Sequence, residues 1–255
     1  MKKEIVERLN ELEAEKGITI PYACESGSRA WGFPSMDSDF DVRFIYMHKK
    51  EWYLSIDDKK DTIEDVGKIL DFSGWELRKA LRLFRASNAS LYEKLQSPIV
   101  YKEVAGFREV LWKLSDQFYR PNAGLHHYLS LVHNFAAKEL DQPEVKLKKY
   151  FYALRSILAA KWIRKRGGVP PMEFEHLRIL IKDEKLNLLI DELLHMKLEA
   201  NESLTIAKNE LLDTFIANES RLGEEYVKTL KVKEKGGSGV LDEVFRNCLD
   251  HDFED

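Results

Sequence analysis

Two hydrophobic periods divide this chain. Residues 3–14 carry Ile5, Val6, Leu9 and Leu12 at helical spacing with charges on the other face. Ile18-Thr19-Ile20-Pro21-Tyr22-Ala23-Cys24 is short and β-prone, and it stops at Glu25-Ser26-Gly27-Ser28, which is turn chemistry. A second strand is expected over 39–46, where Phe40, Val42, Phe44 and Tyr46 alternate with polar positions. A third is expected over 67–72. It runs into Ser73-Gly74-Trp75-Glu76, whose S-x-x-E pattern predicts a capping box opening a helix through Arg85, with Leu77, Leu81 and Phe84 as its apolar stripe. From about residue 105 the period is helical almost throughout, with segments near 105–119, 123–140, 146–166, 173–182, 185–199 and 203–230. Gly236-Gly237-Ser238-Gly239 has linker composition, and a last amphipathic stretch carries Leu241, Val244, Phe245, Cys248 and Leu249. The pattern predicts an α/β domain over 1–104 followed by a helical domain over 105–255.

The stretch from Glu25 to Tyr46, ESGSRAWGFPSMDSDFDVRFIY, is where candidate chemistry concentrates. A glycine at a strand end lets backbone amides approach a phosphate closely, and Gly27-Ser28 is such a turn. Asp39 and Asp41 are two apart on a strand, so they project from one face, away from Phe40, Val42 and Phe44. Paired hard oxygen donors of this kind suit Mg²⁺ held jointly with substrate phosphates. Arg29 and Arg43 lie nearby. Each motif alone also occurs as a solvated strand face or an ordinary turn, and spacing by itself leaves both readings open.

Gly-Ser followed by a strand carrying D-x-D resembles the signature of the DNA polymerase β-like nucleotidyltransferase superfamily. The longer string GSRAWG…SDFDVRFIY is similar to the bacterial YcgL-type family of nucleotidyltransferases, some of whose members are associated with RNA repair. The likeness continues more weakly through DFSGWELRKAL, LYEKLQSPIVY and KKYFYALRSILAAKWI. It implies an α+β fold: a small mixed sheet flanked by helices, then an all-helical domain. It also implies a two-metal transfer of a nucleoside monophosphate from an NTP to an acceptor hydroxyl, with pyrophosphate leaving. Asp39 and Asp41 match the metal-binding acids, with Mg²⁺ or Mn²⁺ expected as cofactor. Gly27 and Ser28 match the turn that holds the triphosphate, and Arg29 and Ser38 in the same stretch are expected to contact the NTP. A third carboxylate on a following strand completes the superfamily's site. Asp71, between Leu70 and Phe72, is the expected one, ahead of Glu64 and Asp65 in a polar run that reads as a surface loop. The alternative from another class is a non-catalytic nucleotide- or RNA-binding module of antitoxin-like, regulatory character.

Charge refines the partner question. The 255 residues carry 40 Lys and Arg against 44 Asp and Glu, a net charge of −4. Yet 146–168 holds Lys146, Lys148, Lys149, Arg155, Lys161, Arg164, Lys165 and Arg166 and no acid. Lys148 and Arg155, seven apart on one helix face, are candidate contacts to a triphosphate or a nucleic-acid backbone, which tilts the acceptor toward RNA over a protein or small molecule. His126, His127 and His133 lack the i, i+4 spacing of a helical zinc site. Two cysteines exclude a disulfide framework. The absence of a long apolar run predicts no membrane span, and together with an N-terminus lacking a signal-peptide core it predicts a cytoplasmic protein.

Overall fold

The computed structural model describes residues 1–104, 106–231 and 236–250. The described chain forms two compact units. The first takes Met1–Gly27, Asp39–Tyr119 and the described part of 234–255; the second takes Ser28–Ser38 and the described part of 120–233.

The first unit is built from α1 (Lys2–Lys16), β1 (Ile18–Glu25), β2 (Phe40–His48), a single turn α2 (Lys50–Tyr53), β3 (Thr62–Val66), β4 (Leu70–Glu76), α3 (Leu77–Arg85), α4 (Ala89–Lys94), β5 (Val100–Glu103), α5 (Phe107–Lys113) and α6 (Ser115–Phe118). Its sheet has the order β3-β4-β2-β1-β5. Only β2 and β4 run parallel, so both begin at the same end of the sheet. Ile5, Leu9 and Leu12 of α1 pack with Ile18, Ile20 and Ala23 of β1, Val42, Phe44 and Tyr46 of β2, and Phe72 of β4. This core covers one sheet face, and the pleat sends Asp41, Arg43, Asp71, Ser73 and Trp75 to the other. α1 stops at Gly17, whose left-handed backbone (φ 59°) lets its N–H reach the Glu13 carbonyl.

The structure departs from the local pattern at three points. Gly27 and Ser28, expected as a turn, open a short helix over Gly27–Trp31, with Gly27 at φ 61°. Ser73 and Gly74 do not open a helix. They continue β4, opposite Arg43 and Phe44 of β2, and the helix begins at Leu77 under a Glu76 carboxylate that accepts from the Arg78 and Lys79 amides. Gly74 is demanded by packing: a Cβ there would lie 2.2 Å from the Phe44 ring. Glu64 and Asp65 belong to β3, an edge strand antiparallel to β4, and not to a loop. Its polar face made it look like one.

The second unit contains α7 (Pro121–Phe135), continued by a π-helical turn over Ala136–Leu140, β6 (Glu144–Lys146), α8 (Leu147–Arg166), α9 (Phe174–Arg178), α10 (Glu184–Glu199), β7 (Thr205–Ala207) and α11 (Glu210–Val227). β6 and β7 pair antiparallel, a small sheet the helical pattern had hidden. α8 is buried along most of its length and packs against α7 and α11. The segment 28–38 folds into this unit through Phe33, which is fully buried among Phe151, Tyr152 and Phe174. A last helix, α12 (Gly239–Asp250), belongs to the first unit, where Phe245 meets Tyr53 edge-on. Residues 232–235, beside the linker-like glycines, lie outside the described residues. No helix among the described residues is long and apolar enough to cross a membrane.

Candidate active site

In the first unit, parallel pairing of β2 with β4 sets Asp41 directly opposite Asp71. Arg43, two residues beyond Asp41 on the same face, joins them. Its Nη2 donates to Asp41 Oδ1 at 2.6 Å and to Asp71 Oδ2 at 2.8 Å, and its Nη1 donates to the Asp71 carbonyl at 2.9 Å. Arg43, Asp41 and Asp71 are 19, 25 and 27% exposed, enough burial for these charge-assisted bonds to hold against water. Of the three acids considered for the third position, Asp71 is the one beside Asp41. Asp65 accepts instead from Arg8 of α1, and Glu64 is exposed.

Gly27 closes one side of this arrangement. Its backbone has φ 61°, and a Cβ built there would lie 2.0 Å from Asp41 Oδ2. No side chain fits. The strand start is held by Ser26, whose N–H donates to the Asp41 carbonyl at 2.8 Å, and by Glu25. Glu25 is fully buried; its Oε1 accepts the Asp41 amide at 2.7 Å and its Oε2 accepts the Tyr101 hydroxyl. Asp39 precedes the first residue of β2 and is exposed. Among the described residues, no group of three or more His, Cys, Asp or Glu is spaced to hold a metal ion, so Asp39 is not gathered with Asp41 and Asp71. The donor chemistry of the Asp41–Asp71 pair nonetheless fits a hard divalent cation, and the positive charge now lying between the two carboxylates is a guanidinium.

Lys94 of α4 lies over Trp75 on the same sheet face, with Nζ 3.4 Å from the ring centroid. Desolvation pushes its ammonium down to about 8; among the smaller influences, Arg43 lowers it further and Asp41 raises it. That places Lys94 within electrostatic reach of both. No carboxylate pairs with it among the described residues.

The other sequence-predicted residues belong to the second unit. Ser28 Oγ donates to Ser38 Oγ at 3.2 Å, Ser38 Oγ donates to Glu202 at 3.1 Å, and Arg29 Nη2 donates to the Ser38 carbonyl at 2.6 Å. Lys148 donates to Glu202 at 2.6 Å, holding its carboxyl below the usual range even though burial pushes the other way more strongly than any single bond. Lys197, 2% exposed, donates to Ser35 at 2.7 Å; burial lowers its ammonium. Arg155 is 3% exposed, stacks over Trp31 at 4.4 Å and donates from Nε to the Met172 carbonyl. Four of the eight cations of the basic run meet three glutamates of the same unit: Lys148 meets Glu202, Lys149 meets Glu139, and Lys161 and Arg164 share Glu219. Lys146, Lys165 and Arg166 of the same run are exposed. His133 meets Glu224 at 2.7 Å.

Sequence reasoning missed Glu25, Tyr101, Lys94, Lys197 and Glu202. Arg43 alone had a signal, because the D-x-D-x-R spacing puts it on the acid face. Glu25 and Lys94 reach the acids only through sheet pairing and the placement of α4.

Gly27 and Ser28 thus lie at the start of a short helix beside the strand that carries Asp41, in a five-stranded mixed sheet. A model of the RNA repair pathway DNA polymerase beta family (RlaP) matches residues 1–247, and the chain belongs to that family. It is 43% identical to a Bacillus subtilis (strain 168) protein named YcgL and described as uncharacterized, over all of this chain and 99% of that one. A crystal structure of a nucleotidyltransferase-like protein from Exiguobacterium sibiricum 255-15 aligns over 95% of this chain and 80% of its own, at 14% identity and a TM-score of 0.32.

Proposed function

We propose that this protein transfers a nucleoside monophosphate from an NTP to an acceptor hydroxyl. The acceptor oxygen bonds to the α-phosphorus, the bond to the β-phosphate oxygen breaks, pyrophosphate leaves, and the hydroxyl proton passes to a carboxylate or to solvent. The observation that carries this reading is the Asp41–Asp71 pair, set abreast by parallel strands and faced by a glycine with no room for a side chain. Asp41 and Asp71 are the residues that would hold Mg²⁺ or Mn²⁺, which when bound neutralises triphosphate charge and polarises the attacking and leaving oxygens; the expected third ligand, Asp39, lies apart from them. The protein's own contribution is positioning and charge. Gly27, with no side chain, offers close backbone approach to phosphates, with Ser28, Arg29 and Ser38 following it in the chain. Lys94 supplies a cation not already committed to a carboxylate. Asp71 is placed to serve as metal ligand or as base toward the acceptor. The acceptor is proposed to be RNA, a reading that rests on the family's association with RNA repair more than on the basic run, half of whose cations already meet glutamates.

The second reading, a nucleotide- or RNA-binding module without turnover, is favoured by one observation: Arg43 already occupies one oxygen of each acid of the pair. Pyrophosphate release separates the two. The protein is incubated with Mg²⁺, each of the four NTPs and labelled RNA. Release and label transfer with one nucleotide, lost in the Asp39→Asn/Asp41→Asn double variant, support transfer. Binding of a nucleotide without release under every condition supports the module.

A further inference from the structure

Two carboxylates abreast on neighbouring strands repel unless a cation joins them, and here the cation is part of the chain. Arg43 contacts one oxygen of each carboxylate and also the Asp71 backbone, so its planar fork spans both strands at the point where they meet in register. Resting on the metal reading above, we infer that Arg43 is a positioning residue that acts as a resident counter-ion: it keeps Asp41 and Asp71 abreast before a divalent ion arrives, and the ion must displace or outcompete it.

This assignment has a counterintuitive consequence. A residue that merely built the site would weaken metal binding when removed. A resident counter-ion does the opposite, because its removal leaves both carboxylates intact, raises the local negative charge and frees the oxygens it had occupied. Its neighbours support that outcome. Parallel pairing holds Asp41 and Asp71 abreast through the backbone, and Glu25 and Ser26 anchor the Asp41 peptide independently of Arg43. Lys94, another cation near the pair, lies over Trp75. The arrangement also gives a physical reason for D-x-R: two is the shortest strand spacing that puts the guanidinium on the face of the acid.

The test is a Mn²⁺ titration followed by the paramagnetic signal of the free ion, on the full-length protein without nucleotide. Arg43→Gln is expected to tighten Mn²⁺ binding by at least about tenfold, since one unit charge is removed within contact distance of both ligands. Arg43→Lys keeps the charge but cannot fork across two carboxylates, so its affinity is expected between wild type and Arg43→Gln. It also serves as the readout if the glutamine variant does not fold. Equal or weaker binding in both variants, with binding abolished in Asp41→Asn, overturns the counter-ion role while leaving the metal reading standing. No Mn²⁺ bound by wild type or by either variant overturns the metal reading, and this inference with it.

Discussion

The acid edge of the first unit and the long basic helix α8 of the second are both charge-rich, yet the fold treats them in opposite ways. Along α8, cations meet glutamates brought from elsewhere in the same unit: Lys149 with Glu139, Lys148 with Glu202, and Lys161 and Arg164 with Glu219. At the acid edge two carboxylates share one guanidinium, a glycine lies against one of them, and Lys94 close by has no acid of its own. Balanced charge holds a structure together. Unbalanced charge, kept half-buried by strand register, is where a ligand has something to do. A local excess of lysine in sequence therefore says less than the pairing that follows from folding.

The largest expected effect contrasts two glycines with positive φ. Gly27→Ala places a methyl 2.0 Å from Asp41 Oδ2, so nucleotidyl transfer is expected to fall by at least about 100-fold in a pyrophosphate-release assay. Gly167→Ala, at the α8 C-cap with φ 79° and open space around it, carries only backbone strain. It is expected to lower stability by about 1–2 kcal/mol with transfer unchanged. Equal loss of activity in the two would erase the distinction between the regions.

Breaking the paired side comes next. Glu219→Gln leaves Lys161 and Arg164, each 14% exposed, without their shared carboxylate. Chemical denaturation is expected to show a loss of about 1–3 kcal/mol, while RNA affinity stays within about twofold. A large gain in RNA binding would mean that these cations are held in reserve for a polyanion.

The smallest effect is a pH dependence. Lys94 is lowered to about 8 from an ordinary value of 10.5, chiefly by desolvation. Between those values the unfolded chain binds more protons than the folded one, so this group makes stability rise with pH there. Below about pH 8 the full penalty of burying the ammonium is present; above about 10.5 none remains. Stability curves of wild type and Lys94→Met should therefore converge as pH rises from 8 to 10.5. A constant difference would place the lysine in water and weaken its role as the site's uncommitted cation.

Much of the fold was legible from local pattern. The alternation of Phe40, Val42, Phe44 and Tyr46 reports the face that packs on α1, and the spacing of Ile5, Leu9 and Leu12 reports the helix that covers it. The misreadings came where a neighbour overrides local preference. Ser73 to Glu76 satisfies a capping-box pattern, but Gly74 is there to accommodate the Phe44 ring, and that contact exists only once β4 lies beside β2. β3 presents Glu64 and Asp65 as a polar run because it is an edge strand, whose identity comes from pairing with β4.

By itself the sequence determined which residues could share a face: Asp41 and Arg43 follow from the two-residue period of a strand, and the break at Gly27 from glycine's access to positive φ. The tertiary structure decided which charges meet. Asp71 faces Asp41 because β2 and β4 run parallel in one register, Lys94 reaches the same face from α4, and four cations of the basic helix meet glutamates up to 58 residues away in the chain. The reason is range. Periodicity is set by bond geometry within a few residues, whereas Coulomb pairing and close approach depend on which distant segments the hydrophobic core brings within a few ångströms of one another.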